Sequence, residues 1–228
     1  MTNDDGVGAP GINAVVQGLR ALPHTNVTVV APLTNESGTG GETTKGALVV
    51  TTSTTAAGYP ARAVHGYPAD TIVWAIDDHG ISFRPDLVVS GINFGQNIGP
   101  LAAGSGTVGA ALTAVSRGIP ALAASQGIDN GQSPDFAEGV TQVDAWIRLH
   151  RTALVDHSYE KAPPQDNLNV PTCANGQVRG PVMAPLATSL SGISITTVNC
   201  SSTSTAFTND AEAFVLGYAV ISPLSSTS

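Results

Sequence analysis

The chain has 228 residues, 42% of them hydrophobic and only 11% charged, with 9 Lys+Arg against 17 Asp+Glu and a formal net charge of -8. That length fits one domain, or one domain with an extension, and supplies enough apolar residues for one sizeable core. With no Lys/Arg cluster to neutralise phosphates, long DNA or RNA is excluded as a partner, and no apolar run approaches the length of a membrane-spanning helix.

The chain opens on TNDDGVG, two aspartates in a turn of glycine and asparagine, with no leader segment visible ahead of them. PGINAVVQGLRAL then places Ile12, Val15, Val16 and Leu19 at helical spacing behind Pro10, which suits a first helical turn. NVTVVAP reads as a strand ended by Pro32, LTNESGTGGETT as a polar loop, and GALVVTT and YPARAVHG as short strands. PADTIVWAIDD predicts a helix begun at Pro68 with Ile72, Val73 and Ile76 inward. RPDLVVSGIN predicts a buried strand running into a turn, followed by the long Gly-rich loop FGQNIGPLAAGSG. TVGAALTAVSRG is a helix stopped by Gly118, and IPALAAS another buried strand. DFAEGVTQVDAWIRLHRTAL is the longest predicted helix, with Val140, Val143 and Ile147 on one face flanked by Trp146.

Strands alternating with helices, each strand ending in a polar or Gly-rich loop, predict an α/β fold: a doubly wound, Rossmann-like, mostly parallel sheet with helices on both faces. From about residue 157 proline rises and the helical period disappears, so a C-terminal β-rich extension is expected. The divisions are residues 1–156 as the α/β core, 157–205 as a variable extension, and 206–228 as a segment returning to the core. Cys173 and Cys200 both lie in polar sequence there; reduced core residues and a disulfide are equally open, and a disulfide would imply an oxidising compartment.

Ligands of doubly wound sheets bind outside the carboxyl ends of the strands, which gathers three loops into one place. The first carries Asn3, Asp4 and Asp5; the second carries Ser37 among glycines; the third carries Ser90, Asn93, Asn97, Ser105 and Thr107. Carboxylate, amide and hydroxyl oxygens select hard cations, Mg²⁺ or Mn²⁺ first and Ca²⁺ next, and not zinc. Two adjacent carboxylates repel unless a cation or a proton lies between them, although NDDG alone is an ordinary turn. Gly104, Gly106 and Gly109 let a ligand approach the backbone where a helix starts, a place suited to phosphate, and an N-capped tight loop is the plain alternative. The same stretch is formally a GxGxxG with Asp129 about twenty residues on, as in dinucleotide sites, but no strand runs directly into it. An NAD-binding oxidoreductase is therefore a weak alternative. The histidines are scattered and no GxSxG elbow is present, so a serine hydrolase is not indicated; His65, before GYPAD, is the one histidine kept in view.

TNDDGVGAPGI, VVAPLTNESGTGG, VHGYPADTIVWAI, PDLVVSGINFGQNIG, GSGTVGAALTAVSRGIPALAAS and TNDAEAFVLGYAVISPL occur in that order. Together they resemble the SurE family of metal-dependent 5′/3′-nucleotidases. The resemblance implies a phosphomonoesterase that hydrolyses nucleoside monophosphates to nucleoside and phosphate with one divalent metal ion, Mg²⁺ or Mn²⁺. It implies metal ligation by Asp4, Asp5, Ser37 and Asn93, with Asp4 or Asp5 as base or nucleophile, and phosphate binding by Asn97, Ser105, Gly106 and Thr107. It also implies a homodimer or homotetramer. A nucleotide-binding or assembly module of the same fold without turnover is the competing class. The resemblance further implies an apolar strand leading into the Asp pair, which this sequence lacks, so the start is expected upstream. Residues 157–200 match the family poorly. Low charge and two cysteines lean towards an extracytoplasmic protein, against a cytoplasmic family default.

Overall fold

A computed structural model describes residues 1–129, 134, 136–159 and 164–224. Helix α1 (Pro10–Ala21) has proline in its first turn and buries Ile12, Val15, Val16 and Leu19, the face its spacing predicts. Strand β1 (Val29–Pro32) pairs in parallel with β3 (Pro60–His65), and β2 (Val49–Thr54) folds back antiparallel on β3. Helix α2 (Pro68–Ile72) continues as a π-helical turn over Val73–Asp77. Strand β4 (Val88–Phe94) is followed by the one-turn helix α3 (Leu101–Gly104), then α4 (Gly106–Val115), strand β5 (Ala121–Gln126) and the long helix α5 (Ala137–Asp156). Asp135, in the predicted start of α5, lies outside the described residues. The remaining elements are β6 (Gln165–Val170), β7 (Arg179–Met183), α6 (Asp210–Val215) and β8 (Tyr218–Pro223).

The protein is α/β, with helices on both faces of a central five-stranded sheet of order β4-β5-β6-β8-β7. Successive residues of β4 and β5 point to opposite faces. Val89, Leu122 and Ala124 meet α1 and α5 through Val15, Leu19, Val143, Trp146 and Ile147. Val88, Ala121 and Ala123 meet α4 through Ala110, Ala111 and Ala114. The small side chains let α4 lie close to the sheet, so its N-terminus reaches the ends of the strands.

The sequence predicts one mostly parallel sheet; the larger sheet is mostly parallel, with β4-β5, β5-β6 and β7-β8 parallel, but the structure has two sheets and both are mixed. β8 runs antiparallel to β6, and β1-β3-β2 form a separate three-stranded sheet. Met1 and Thr2 link the two sheets: Thr2 N–H donates to the Val89 carbonyl, Gly91 N–H to the Thr2 carbonyl, and Val30 N–H to the Met1 carbonyl. Thr2 makes an isolated parallel bridge to Ser90 and not a strand. β6, in the stretch expected to be extension, is the middle strand of the larger sheet. Its buried Asn167 and Asn169 interrupt the apolar run by which a central strand is usually read. Cys173 and Cys200 form a disulfide across the loop segments beyond β6.

Candidate functional site

Residues 3–8 follow directly from the Thr2 bridge. Gly6 adopts φ 101°, Asn3 Nδ2 donates to the Gly6 carbonyl, and Val7 N–H donates to the Pro32 carbonyl, so the turn is sewn to the end of β1. Asp4 and Asp5 therefore emerge where β1 and β4 end. Thr2 and Thr71 share a hydroxyl–hydroxyl bond of 2.8 Å that fixes the turn against α2.

The two carboxylates have different surroundings. Asp4 is buried against the start of α4: its Oδ1 accepts from Thr107 Oγ1 at 2.7 Å, and its Oδ2 from Thr107 N–H at 3.2 Å. Burial pushes its carboxyl above the ordinary value, and the Thr107 bonds oppose that rise. Asp5 is half-buried. Its Oδ2 accepts from Phe94 N–H at 2.9 Å and its Oδ1 from Asn35 Nδ2 at 3.4 Å. Burial raises its carboxyl to about 6, against the Phe94 bond and with the Asp4 charge adding.

These contacts bring the predicted residues together. Asn93 precedes Phe94, is buried, and donates through Nδ2 to the Gly95 carbonyl, so its amide oxygen is the atom a cation could meet. Ser37 is exposed; its N–H donates to Asn35 Oδ1, and the neighbouring Glu36 N–H donates to the Asp4 carbonyl at 2.7 Å. Ser105 caps α4, its hydroxyl oxygen accepting from Val108 N–H. Asn97 stands apart, in a buried network on β5 and β6. Its Nδ2 donates to Ser125 Oγ, its N–H to Asn169 Oδ1, and its carbonyl accepts from Asn167 Nδ2.

The sequence points to glycines that admit a ligand at α4. What approaches two of them is the protein itself: a Cβ on Gly106 would lie 2.9 Å from the Asp4 Cβ, and one on Gly109 would lie 1.9 Å from the Gly40 carbonyl oxygen. Asp4 thus takes up part of the positive helix start that the sequence assigns to phosphate. Asp70 is a further organiser that sequence reasoning missed. Buried in α2, it accepts from Thr44 N–H, Thr44 Oγ1 and Tyr67 N–H and ties down the second loop. Its only sequence signal is an acidic residue in a first helical turn.

Asp129 has a different task from the ribose contact of a dinucleotide site. Its two carboxylate oxygens accept from Val198 N–H and Ala174 N–H, bracing the disulfide region, which removes the basis of the oxidoreductase alternative. Two of the histidines serve the scaffold: His150 bonds the Trp146 carbonyl and His157 lies 3.7 Å from Asp86. Among the described residues no histidine is bonded to Asp4 or Asp5, and no three His, Cys, Asp or Glu side chains gather as a metal cluster.

An ion at the Asp pair would therefore be held by two carboxylates and neutral oxygens. That donor set fits a Mg²⁺-type cation, which commonly takes one or two carboxylates and completes its shell with water and substrate phosphate. A cleft of about 400 Å³ opens beside Asp5, lined by Leu33, Asn35, Phe94 and Phe136. A second cleft, of about 320 Å³, lies behind Met1 among mainly apolar residues and away from the Asp pair.

A family model described as Survival protein SurE matches residues 1–192. Similar curated proteins include "5'-nucleotidase SurE" of Methanopyrus kandleri, 38% identical over 67% of this chain and 60% of that protein. The "5'-nucleotidase SurE" of Halobacterium salinarum is 41% identical over 75% of this chain and 62% of its own length. That of Pelobacter propionicus is 37% identical over 80% of this chain and 69% of its own length. The chain thus spans about 60% of the first two of these relatives. The crystal structure of the SurE protein from Aquifex aeolicus shares the fold, with a TM-score of 0.69 at 23% identity, covering 98% of this chain and 91% of that one.

Proposed function

The chain belongs to the SurE family, and from that premise we propose that it is a divalent-metal-dependent phosphomonoesterase that hydrolyses nucleoside 5′/3′-monophosphates to nucleoside and phosphate. The observation that carries the reading is the pair Asp4–Asp5, one carboxylate pinned by Thr107 and the other facing a cleft. An acidic protein with no basic cluster needs a cation to attract a phosphate, and adjacent carboxylates need one to coexist.

Asp4, Asp5, Ser37 and Asn93 would hold one Mg²⁺ or Mn²⁺. When bound, the ion supplies Lewis-acid polarisation of a phosphoryl oxygen and a lowered pKa for water. Asp4, with both oxygens bonded to Thr107, is a fixed anchor. Asp5 uses Oδ2 for Phe94 N–H, so Oδ1, with its long bond to Asn35, takes the proton of the attacking water. The water oxygen bonds to phosphorus, the ester P–O bond breaks, and the departing nucleoside oxygen takes a proton from solvent, to which Asp5 returns the proton it accepted. Gly106 N–H and the Ser105 hydroxyl proton, at the start of α4, would offset the charge that gathers on the phosphoryl oxygens. Asn97 supports this loop through Ser125 and Asn169. Assembly as a homodimer or homotetramer belongs to the same reading and is checked by light scattering.

The test is phosphate release from AMP in Mn²⁺, then in EDTA, then with Mn²⁺ restored. The reading requires release that EDTA abolishes and Mn²⁺ recovers. Undiminished release in EDTA, or nucleotide binding with no release under any condition, contradicts it.

A further inference from the structure

The cleft beside Asp5 has a wall that the reaction itself does not use. Phe94 and Leu33 are large apolar residues left 47% and 40% exposed, and both line this one cleft. Its volume of about 400 Å³ falls within the ~300–1,000 Å³ of small-molecule sites. Phe136 adds a third apolar side chain, and the floor is Gly6, Gly8 and Gly11 with Ala9 and Pro10, a strip with almost no side chains. Isolated exposed apolar residues are ordinary, but two lining one cavity that Asp5 also lines are not accounted for by packing. Phe94 is attached to that centre directly, since its N–H holds Asp5 Oδ2.

We propose that Phe94, with Leu33 beside it, is the nucleobase platform of the enzyme, and that it selects purine nucleoside monophosphates by stacking and not by reading the base edge. The proposal rests on the nucleotidase reading above. A planar base attached to a phosphate at the Asp pair would lie along the side-chain-poor strip against the exposed ring. Stacking on an aromatic side chain tolerates every base, because each has a π-face, and strengthens with ring area. Edge recognition would need spare polar side chains. Among the described residues Asn35 and Asp5 are the polar side chains of the lining, and Asn35 is already engaged at both ends: its Oδ1 accepts from Ser37 N–H and its Nδ2 donates to Asp5. Discrimination should therefore fall between purine and pyrimidine, with adenine and guanine alike.

The test compares kcat/KM for AMP, GMP, UMP and ribose 5-phosphate in the full chain and in the variants Phe94→Ala, Phe94→Trp and Leu33→Ala, with Mn²⁺ present. The wild type should favour AMP and GMP equally over UMP, and all three over ribose 5-phosphate. In Phe94→Ala the preference for AMP over ribose 5-phosphate should fall about tenfold, through KM and not kcat, and Phe94→Trp should restore it. Leu33→Ala should lower the same ratio by a smaller factor and serves if Phe94→Ala fails to fold. An unchanged ratio in folded variants overturns the platform, as does an equal loss on AMP and ribose 5-phosphate. A wild type that hydrolyses none of the four substrates instead overturns the nucleotidase reading on which the platform depends.

Discussion

Two regions of this protein are built from irregular polar chain hung on buried aspartates, and they use them in opposite ways. The C-terminal wrap is tied to two buried aspartates, each satisfied by backbone N–H groups from distant segments. Asp210 accepts from Gly99 at 2.8 Å and Ala187 at 2.7 Å, and Asp129 accepts from Val198 and Ala174. At the mouth of the sheet, Asp4 is held by the Thr107 hydroxyl and N–H, while Asp5 accepts from Phe94 N–H, keeps one long bond to Asn35 and borders a cleft. A carboxylate whose lone pairs are filled by backbone donors cross-braces the chain. One held in place but left with open lone pairs, with burial raising its carboxyl, is prepared to take a cation or a proton.

The sharpest way to break this comparison is to swap charge for shape. Asp5→Asn keeps the Phe94 bond but cannot accept the water proton, so phosphate release should fall by at least ~10³-fold. Its Tm should hold or rise, because a raised carboxyl beside Asp4 is no longer there to be charged. A marked fall in Tm would put Asp5 in the bracing class instead.

The wrap should show the reverse pattern. Cys173 and Cys200 close a loop with a sequence separation of 27. Replacing both with serine should destabilise the protein by about 3.5 kcal/mol on chain-entropy grounds, read by denaturant unfolding. Asp210→Ala leaves the Gly99 and Ala187 N–H groups buried without their acceptor, which should cost about 2–3 kcal/mol. Activity should fall with it, because Gly99 belongs to the loop that reaches α4. An unchanged Tm in Asp210→Ala would remove the bracing role.

The smallest effect concerns a carboxylate that belongs to neither region. Asp166 accepts from Trp146 Nε1, and burial raises its carboxyl despite that bond. The folded state therefore binds its proton more tightly than the unfolded state. Its contribution is fully present below the ordinary carboxylate range and is lost as pH rises through the raised value. Asp166→Asn keeps the acceptor and removes the charge, so it should raise Tm near neutral pH by about 2 °C or less and flatten the acid-to-neutral profile. A lower Tm at neutral pH would contradict this sign.

The difference between the two regions also explains what the sequence made legible. Strands β1, β4 and β5 and helices α1, α4 and α5 follow from apolar spacing closed by proline or glycine. The loops at their ends are rich in oxygen ligands, so Asp4, Asp5 and Asn93 stand out without coordinates. The long-range bonds do not. Nothing in TNDDG says that Thr107, over a hundred residues on, will take both Asp4 oxygens. Nothing near Asp129 or Asp210 marks the backbone N–H groups they accept, and Asp129 instead mimics a ribose-binding residue by spacing alone. β6 is hidden for a related reason. Its Asn167 and Asn169 turn inward to serve the Asn97 network and so break the hydrophobic pattern of a central strand.

The central claim is that Asp4 and Asp5 coexist because one cation shares them. Calorimetric titration of Mn²⁺ into the wild type and into Asp4→Asn tests it without recourse to turnover. The account predicts one ion per chain in the wild type and binding weakened at least tenfold in Asp4→Asn. Equal binding by the two proteins, or no binding by the folded wild type, would contradict it.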